Sequence, residues 1–284
     1  MSHSALVPPL CPPGYNVSGR VFVITGGTQG LGLAVARQLK EAGAKGLVLV
    51  SRNQDRGETL SKELSSSCCT CHFVAADLSD AQQAQQVIPR AAEKMKDVGP
   101  ISGLVNAAAT TGRGNILTTT AEAFDAQMNL NARAPFLLAQ GAAKHMIEHK
   151  IRGGIVNICS VAAHGGAPFI MAYSASKAAL VNMTKNNAAE LAPKGIRVNA
   201  VNMGWTYTDN EDKLQRKNTG DDNWVARADQ GVPLGRILRP EDVAATVGFL
   251  LSDSSGMTTG TIVNLHPEFP EGMLSTLASE DERM

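Results

Sequence analysis

Seven short aliphatic and β-branched runs recur along the chain, "RVFVIT", "GLVLVS", "HFVAAD", "ISGLVN", "GIVNICS", "IRVNAVN" and "GTIVNL", and they constrain the fold more than any other feature. Most are nearly continuous in apolar character rather than alternating, as strands buried on both faces must be. Between them lie segments such as "GLGLAVARQLKEAG" and "PEDVAATVGFLLSD", whose apolar positions return with a period near 3.6. Strands and helices alternating in this way specify an α/β fold, a doubly wound parallel sheet of about seven strands with helices on both faces. No linker or internal repeat interrupts the pattern, so a single domain is expected over residues 19–265, with an N-terminal extension (1–18) and a C-terminal tail (266–284), of which the Pro-rich opening and the final "SEDERM" are expected to be mobile. One connection is long: residues 204–235 are polar and carry both tryptophans. Connections of that length in compact domains serve as lids or binding loops, and this one is read as a substrate cover.

The 26 Lys plus Arg balance the 26 Asp plus Glu, so no net field draws the chain to nucleic acid or to an anionic membrane. No apolar run is long enough to span a bilayer, and the opening "MSHSALVPPLCPPGYNVSGR" lacks the basic start and apolar core of a secretory signal. A cytoplasmic protein acting on small molecules is expected. Five cysteines argue against a disulfide framework. Cys68, Cys69 and Cys71 precede His72, but no second cluster supplies further ligands at a recognisable spacing, so no metal is expected. Cys159 reads as a core thiol on a buried strand.

"VFVITGGTQGLGLAVARQLKEAG" sets a strand, a glycine-rich turn and a helix in immediate succession. Gly26, Gly30 and Gly32 let backbone N–H groups at a helix N-terminus approach a pyrophosphate, which the helix dipole also favours. No Gly-Lys-Ser/Thr follows, which excludes a Walker loop. Dinucleotide folds that take NAD place an acidic residue about 20 residues further on, against the ribose 2′-hydroxyl. Here Ser51 and Arg52 end the second strand; the serine repels no 2′-phosphate and the guanidinium can grip one, so NADP(H) is preferred, with NAD(H) as the alternative. Asp77 ends the third strand, where it can accept from an adenine amino group or cap a helix starting near Ser79.

"SVAAHGGAPFIMAYSASK" places Ser160, Tyr173 and Lys177 at separations of 13 and 4. Tyr173 and Lys177 fall one helical turn apart on one face, and Ser160 falls at the carboxyl end of a strand. Moving hydride to a carbonyl requires a proton for the nascent alkoxide, and the reverse reaction requires its removal. A phenol in water ionises near pH ~10, too high for an efficient base near neutrality, whereas a neighbouring cation favours the phenolate. A serine hydroxyl can donate to the substrate oxygen as charge grows on it.

Together these residues resemble the short-chain dehydrogenase/reductase family from about Gly19 to Leu265. Its TGxxxGxG motif is present as Thr25, Gly26, Gly30 and Gly32; its NNAG signature stands altered as Asn106, Ala107, Ala108 and Ala109; its Pro-Gly motif is "NMGWTYT", with Met203 in place of proline. The resemblance implies a Rossmann-type oxidoreductase interconverting a secondary alcohol and a ketone, with a catalytic tetrad at Asn131, Ser160, Tyr173 and Lys177. It further implies cofactor contacts from Thr28, Leu31, Leu78, Asn106, Gly204, Thr206 and Thr208, with Tyr173 and Lys177 reaching the cofactor ribose, and a homodimer or homotetramer paired through two small-residue-rich helices. Pro135 has no N–H to give the carbonyl of Asn131, which is thereby free to hold a relay water; the other reading is that the proline only bends its helix. His164 and Trp205 are candidate substrate contacts, while Trp205 and Trp224 can equally anchor the lid. His266 and Pro267 stand where many relatives carry an Asp-Gly-Gly terminus that joins subunits. The rival from another class is an NADP(H)-sensing scaffold without turnover, against which the complete tetrad argues.

Overall fold

Side chains that alternate above and below each strand account for the two-faced core. The strands are β1 (Val21–Thr25), β2 (Gly46–Ser51), β3 (Thr70–Ala75), β4 (Ile101–Asn106), β5 (Gly154–Ser160), β6 (Arg197–Met203) and β7 (Ile262–Leu265). The helices are α1 (Gly30–Glu41), α2 (Gln54–Leu64), α3 (Ala81–Met95), α4 (Ala121–Met128), α5 (Ala134–Glu148), α6 (Met171–Leu191), α7 (Asp209–Thr219), α8 (Trp224–Gln230) and α9 (Pro240–Leu251). All strands pair in parallel, in the order β3-β2-β1-β4-β5-β6-β7 that a doubly wound sheet implies. Phe22, Ile24, Leu47 and Leu49 face a layer containing α1 and α9, where they meet Val35, Leu39, Val243 and Val247. Their neighbours Val21, Val23, Val48 and Val50 face α3 and α5, with Ile88, Met95, Leu138 and Met146. The strand order reverses between β1 and β4, so the crevice outside their carboxyl ends is where a ligand binds in such sheets.

The computed structural model describes residues 15–266; the earlier part of the expected extension and the tail from Pro267 lie outside the described residues. Residues 15–18 do not belong to a separate extension. Val17 is buried in the α1/α9 layer, its N–H donates to the Ala42 carbonyl at 2.9 Å, and the Tyr15 hydroxyl accepts from Gln38 Nε2 at 2.6 Å. The folded unit therefore begins before the expected boundary at residue 19, because an aromatic and a valine pack where the Pro-rich composition upstream pointed to a loose end.

The long polar connection is also not a loop. Thr208 caps α7 by accepting from the Glu211 N–H, Asp209, Glu211 and Asp212 occupy its first turn, and Arg216 and Lys217 its last. That arrangement complements the helix dipole, and Gly220, at φ 65°, closes the helix in a left-handed turn. α7 buries no residue, so no apolar stripe announces it. Trp224 on α8, 3% exposed, forms a small core with Val232 and Ile237, against which Trp205 and Tyr207 pack. Tyr207 N–H donates to Leu238 C=O (2.8 Å) and Leu238 N–H to Trp205 C=O (3.0 Å), pinning the base of the cap to the body. No helix among the described residues is long and apolar enough to cross a membrane.

Candidate active site

The turn between β1 and α1 is built from backbone. Gly26 adopts φ 64°, and a Cβ there would stand 3.1 Å from the backbone of Ala108; a Cβ on Gly32 would stand 2.3 Å from the Gly26 carbonyl oxygen. Only glycine permits this closure. Thr25 Oγ1 accepts from the N–H groups of Ala107 (3.0 Å) and Ala108 (3.1 Å), which ties the altered "NAAA" stretch to the turn. Gln29, the residue before α1, makes no side-chain cap, leaving the first N–H groups of the helix open to an anion. Asn106 Nδ2 donates to Asn157 Oδ1 at 2.8 Å, and Asn157 Nδ2 to Thr184 Oγ1 at 2.9 Å, while Asn106 Oδ1 is buried without a partner. A cradle that a Cβ would fill and an orphaned acceptor at the end of β4 fit a dinucleotide.

At the end of β2, Thr28 Oγ1 donates to Ser51 Oγ at 3.1 Å, so both residues belong to one small polar wall. Arg52 is exposed beside it. Arg56, one turn into α2 and missed from sequence, reaches back to Gln29 Oε1 at 2.5 Å and sets a second guanidinium at this edge. Asp77 takes the N–H and hydroxyl of Ser79 on its Oδ1 (3.0 and 2.7 Å), which, helped by Arg52, hold its carboxyl below the ordinary range. Asp77 is not the helix cap: Asp80 accepts from Gln82 and Gln83 and starts α3. Leu31 is half-buried against the α1/α9 layer. Leu78 is buried in the opposite layer, so its side chain is committed to the core rather than to a ligand.

The catalytic candidates come from three elements: Ser160 from β5, Tyr173 and Lys177 from α6, and Asn131 from the turn before α5. Ser160 ends β5 with its Oγ accepting from Ala162 N–H at 3.2 Å. On α6, Lys177 is 3% exposed, its Nζ lies 5.7 Å from the Tyr173 ring centre, and it donates to the Ile158 carbonyl of β5 at 2.7 Å. No ion pair forms between Lys177 and a described carboxylate. Asn131 is fully buried; its side chain accepts from Thr110 N–H (2.9 Å) and donates to Thr110 C=O (2.9 Å) and Ser176 Oγ (3.1 Å). Ser176 in turn donates to the Tyr173 carbonyl at 2.7 Å, a link not seen from sequence. Pro135 lies in the first turn of α5, not inside a continuous α-helix: residues Asn129–Arg133 form a widened π turn in which Ala134 N–H reaches Asn129 C=O. A proline that cannot close the i−4 bond suits such a break.

The remaining candidates are dispersed. His164 is exposed at the end of a 3-10 turn, with Nε2 3.3 Å from Asn202 Nδ2. Trp205 Nε1 donates to Glu211 (2.8 Å) and Trp224 Nε1 to Asp212 (3.0 Å), so both indoles are tied to α7. Gly204 N–H donates to Leu265 C=O at 2.9 Å and Thr206 Oγ1 to Gly204 C=O at 3.0 Å. A Cβ on Gly30 would lie 3.8 Å from Thr208, so the start of α7 borders the glycine turn. Cys69, Cys71 and Cys159 are buried; burial pushes the Cys159 thiol up to about 11 and Cys71 to about 12. Among the described residues no three His, Cys, Asp or Glu side chains gather to hold a metal.

A parallel sheet of this order with a glycine turn at its switch point is a Rossmann-type fold. The chain belongs to the short-chain dehydrogenase/reductase family. Residues 26–265 match the family described as enoyl-(acyl carrier protein) reductase. The chain is 34% identical over 248 residues to carbonyl reductase [NADPH] 2 of Sus scrofa, covering 87% of this chain and 95% of that protein. It is 36% identical over 246 residues to L-xylulose reductase of Mus musculus, covering 87% and 94%. A 3-oxoacyl (acyl-carrier-protein) reductase from Agrobacterium tumefaciens C58 with NADP bound superposes with a TM-score of 0.80 at 25% identity, over 89% of this chain and 95% of that one. The chain is accordingly an oxidoreductase acting on alcohol or carbonyl groups.

Proposed function

We propose that the protein is an NADP(H)-dependent reductase that interconverts a secondary alcohol and a ketone. The observation that carries this reading is the buried Lys177, held by the Ile158 carbonyl 5.7 Å from the Tyr173 ring with no carboxylate among the described residues to neutralise it. A cation sequestered in this way is useful where a neighbouring phenol must gain and lose a proton. The nicotinamide, when bound, supplies or accepts the hydride. Tyr173 gives the proton to the substrate oxygen in reduction and takes it in oxidation, and Ser160 donates to the same oxygen as charge builds there. Lys177 lies beside the phenol and orients the ribose hydroxyls, and the Asn131 carbonyl, denied a donor by Pro135, holds a relay water. Thr25, Gly26, Gly30 and Gly32 cradle the pyrophosphate with Thr28 and Leu31 beside it; Asn106, Asp77, the Leu78 backbone, Gly204, Thr206 and Thr208 complete the pocket.

Ser51 and Arg52, joined by Arg56, receive the 2′-phosphate; the names of the pig and Agrobacterium relatives, with NADPH and NADP, favour the same choice. The 204–235 segment covers the substrate, and α5 and α6, with Phe136 and Ile147 exposed on α5, pair with a second copy. Loss of NADPH absorbance across a ketone panel, run beside NADH, tests the reading. Turnover with NADPH at about tenfold or more the kcat/KM found with NADH supports it; preference for NADH overturns the cofactor assignment, and binding without turnover of any ketone overturns the activity.

A further inference from the structure

The segment after β4 is held like an edge strand with one side left open. Thr110 is bonded through both backbone groups to the Asn131 side chain, Gly112 through both to Gln127 (3.1 and 3.4 Å), and Gly114 through both to Phe169 and Met171 (2.8 and 3.1 Å). In an extended chain alternate residues direct N–H and C=O to the same side, so those of Thr111 and Arg113 turn to the other. Neither has a backbone partner among the described residues. The segment runs from Ala108, which abuts Gly26 of the dinucleotide turn, to Gly114, which is bridged to Ile170 just before the helix of Tyr173. It therefore walls the cleft between cofactor and catalytic helix, and Arg113 stands at the end remote from the dinucleotide.

Arg113 is exposed, and its guanidinium lies 5.7 Å from the centre of the Phe169 ring. Among the described residues it forms no ion pair with a carboxylate, and no hydrogen bond occupies its N–H fork. The ring steadies the plane of the guanidinium without using its donors, which are spaced to meet two oxygens of one anion.

We propose that Arg113 is a specificity-determining anion receptor: the substrate reduced at Tyr173 carries a carboxylate or phosphate at the end away from its carbonyl, and the Arg113 guanidinium grips it. The assignment rests on the reductase reading above and narrows its substrate class. Its test uses matched pairs, acetoacetate against methyl acetoacetate, levulinate against methyl levulinate, and dihydroxyacetone phosphate against dihydroxyacetone, with NADPH consumption as the readout. The wild type is expected to favour the anion of at least one pair. Arg113→Met lowers that anion-to-neutral ratio of kcat/KM by about tenfold or more, chiefly through KM, and Arg113→Lys restores part of it. Which pair responds distinguishes carboxylate from phosphate. Neutral members used as well as every anion, or a ratio unmoved in Arg113→Met, overturns the proposal. Calorimetric titration of the same anions into NADPH-loaded Tyr173→Phe, with and without Arg113→Met, separates the two readings. Anion binding that disappears with Arg113→Met supports the receptor even if no ketone is reduced, and absence of anion binding overturns it.

Discussion

The glycine turn of residues 25–32 and the helical cap of residues 204–238 border the same cleft, yet they are built on opposite principles. The turn owes its shape to missing side chains: a Cβ at Gly32 has no room, and Thr25 secures the neighbouring strand end through backbone N–H groups. The cap owes its shape to side chains that pair. Asp229, 2% exposed, takes Arg239 at 3.0 Å and the Ile237 N–H at 2.8 Å; Arg239 in turn lies over the Tyr207 ring, and Arg236 forks onto Asp242 at 2.6 and 2.8 Å. A turn made of backbone tolerates no change of side chain, whereas a segment made of paired side chains can be rebuilt without disturbing it.

The comparison breaks most visibly at Gly32. Gly32→Ala forces its methyl into the Gly26 carbonyl, at a cost of about 3 kcal/mol, or roughly a hundredfold in NADPH affinity, measured by fluorescence titration, while the cap stays folded. Asp229→Ala acts on the other region. It strands Arg239 and the Ile237 N–H, and because Arg239 keeps some solvent the loss is about 2 kcal/mol, confined to the cap. Limited proteolysis should cut within residues 204–238 while NADPH affinity changes by less than about threefold. Arg52→Ala sharpens the comparison within the cofactor region itself: the ratio of NADPH to NADH affinity falls about tenfold, with NADH affinity held.

The smallest effect belongs to neither region. Ile101 N–H donates to His145 Nε2 at 3.0 Å, so that nitrogen must stay unprotonated; burial and the stacked His149 ring lower its pKa below the ordinary value. The unfolded imidazole titrates near ~6.5, so the stabilising contribution is present above that pH and is lost as pH falls through the lower folded value. His145→Gln, which can keep an acceptor, should flatten the acid side of a plot of Tm against pH and leave NADPH binding at pH ~7 unchanged.

What was legible in the sequence divides along the same line. Strands buried on both faces write continuous apolar runs, so the sheet and its order could be read, and a glycine turn or a Tyr-x-x-x-Lys pair declares itself by spacing. α7 could not be read, because its stability comes from a cap and end charges rather than an apolar stripe. Arg56 escaped because its partner Gln29 is 27 residues away, and the sequence leaves Asp77 open as a cap that Asp80 supplies, since both carboxylates precede the same helix. The π turn at Asn129–Arg133 leaves only a proline as its trace, and that proline also fits a simple bend.

The central claim is that the Tyr173 phenol, with Lys177 beside it, carries the proton of the reaction. Steady-state turnover of Tyr173→Phe, with its NADPH affinity measured on the same sample, tests it most directly. NADPH binding within about twofold of the wild type and turnover lowered by ~10²–10⁴ are expected. A Tyr173→Phe protein that binds NADPH and retains more than about a tenth of wild-type turnover would contradict it.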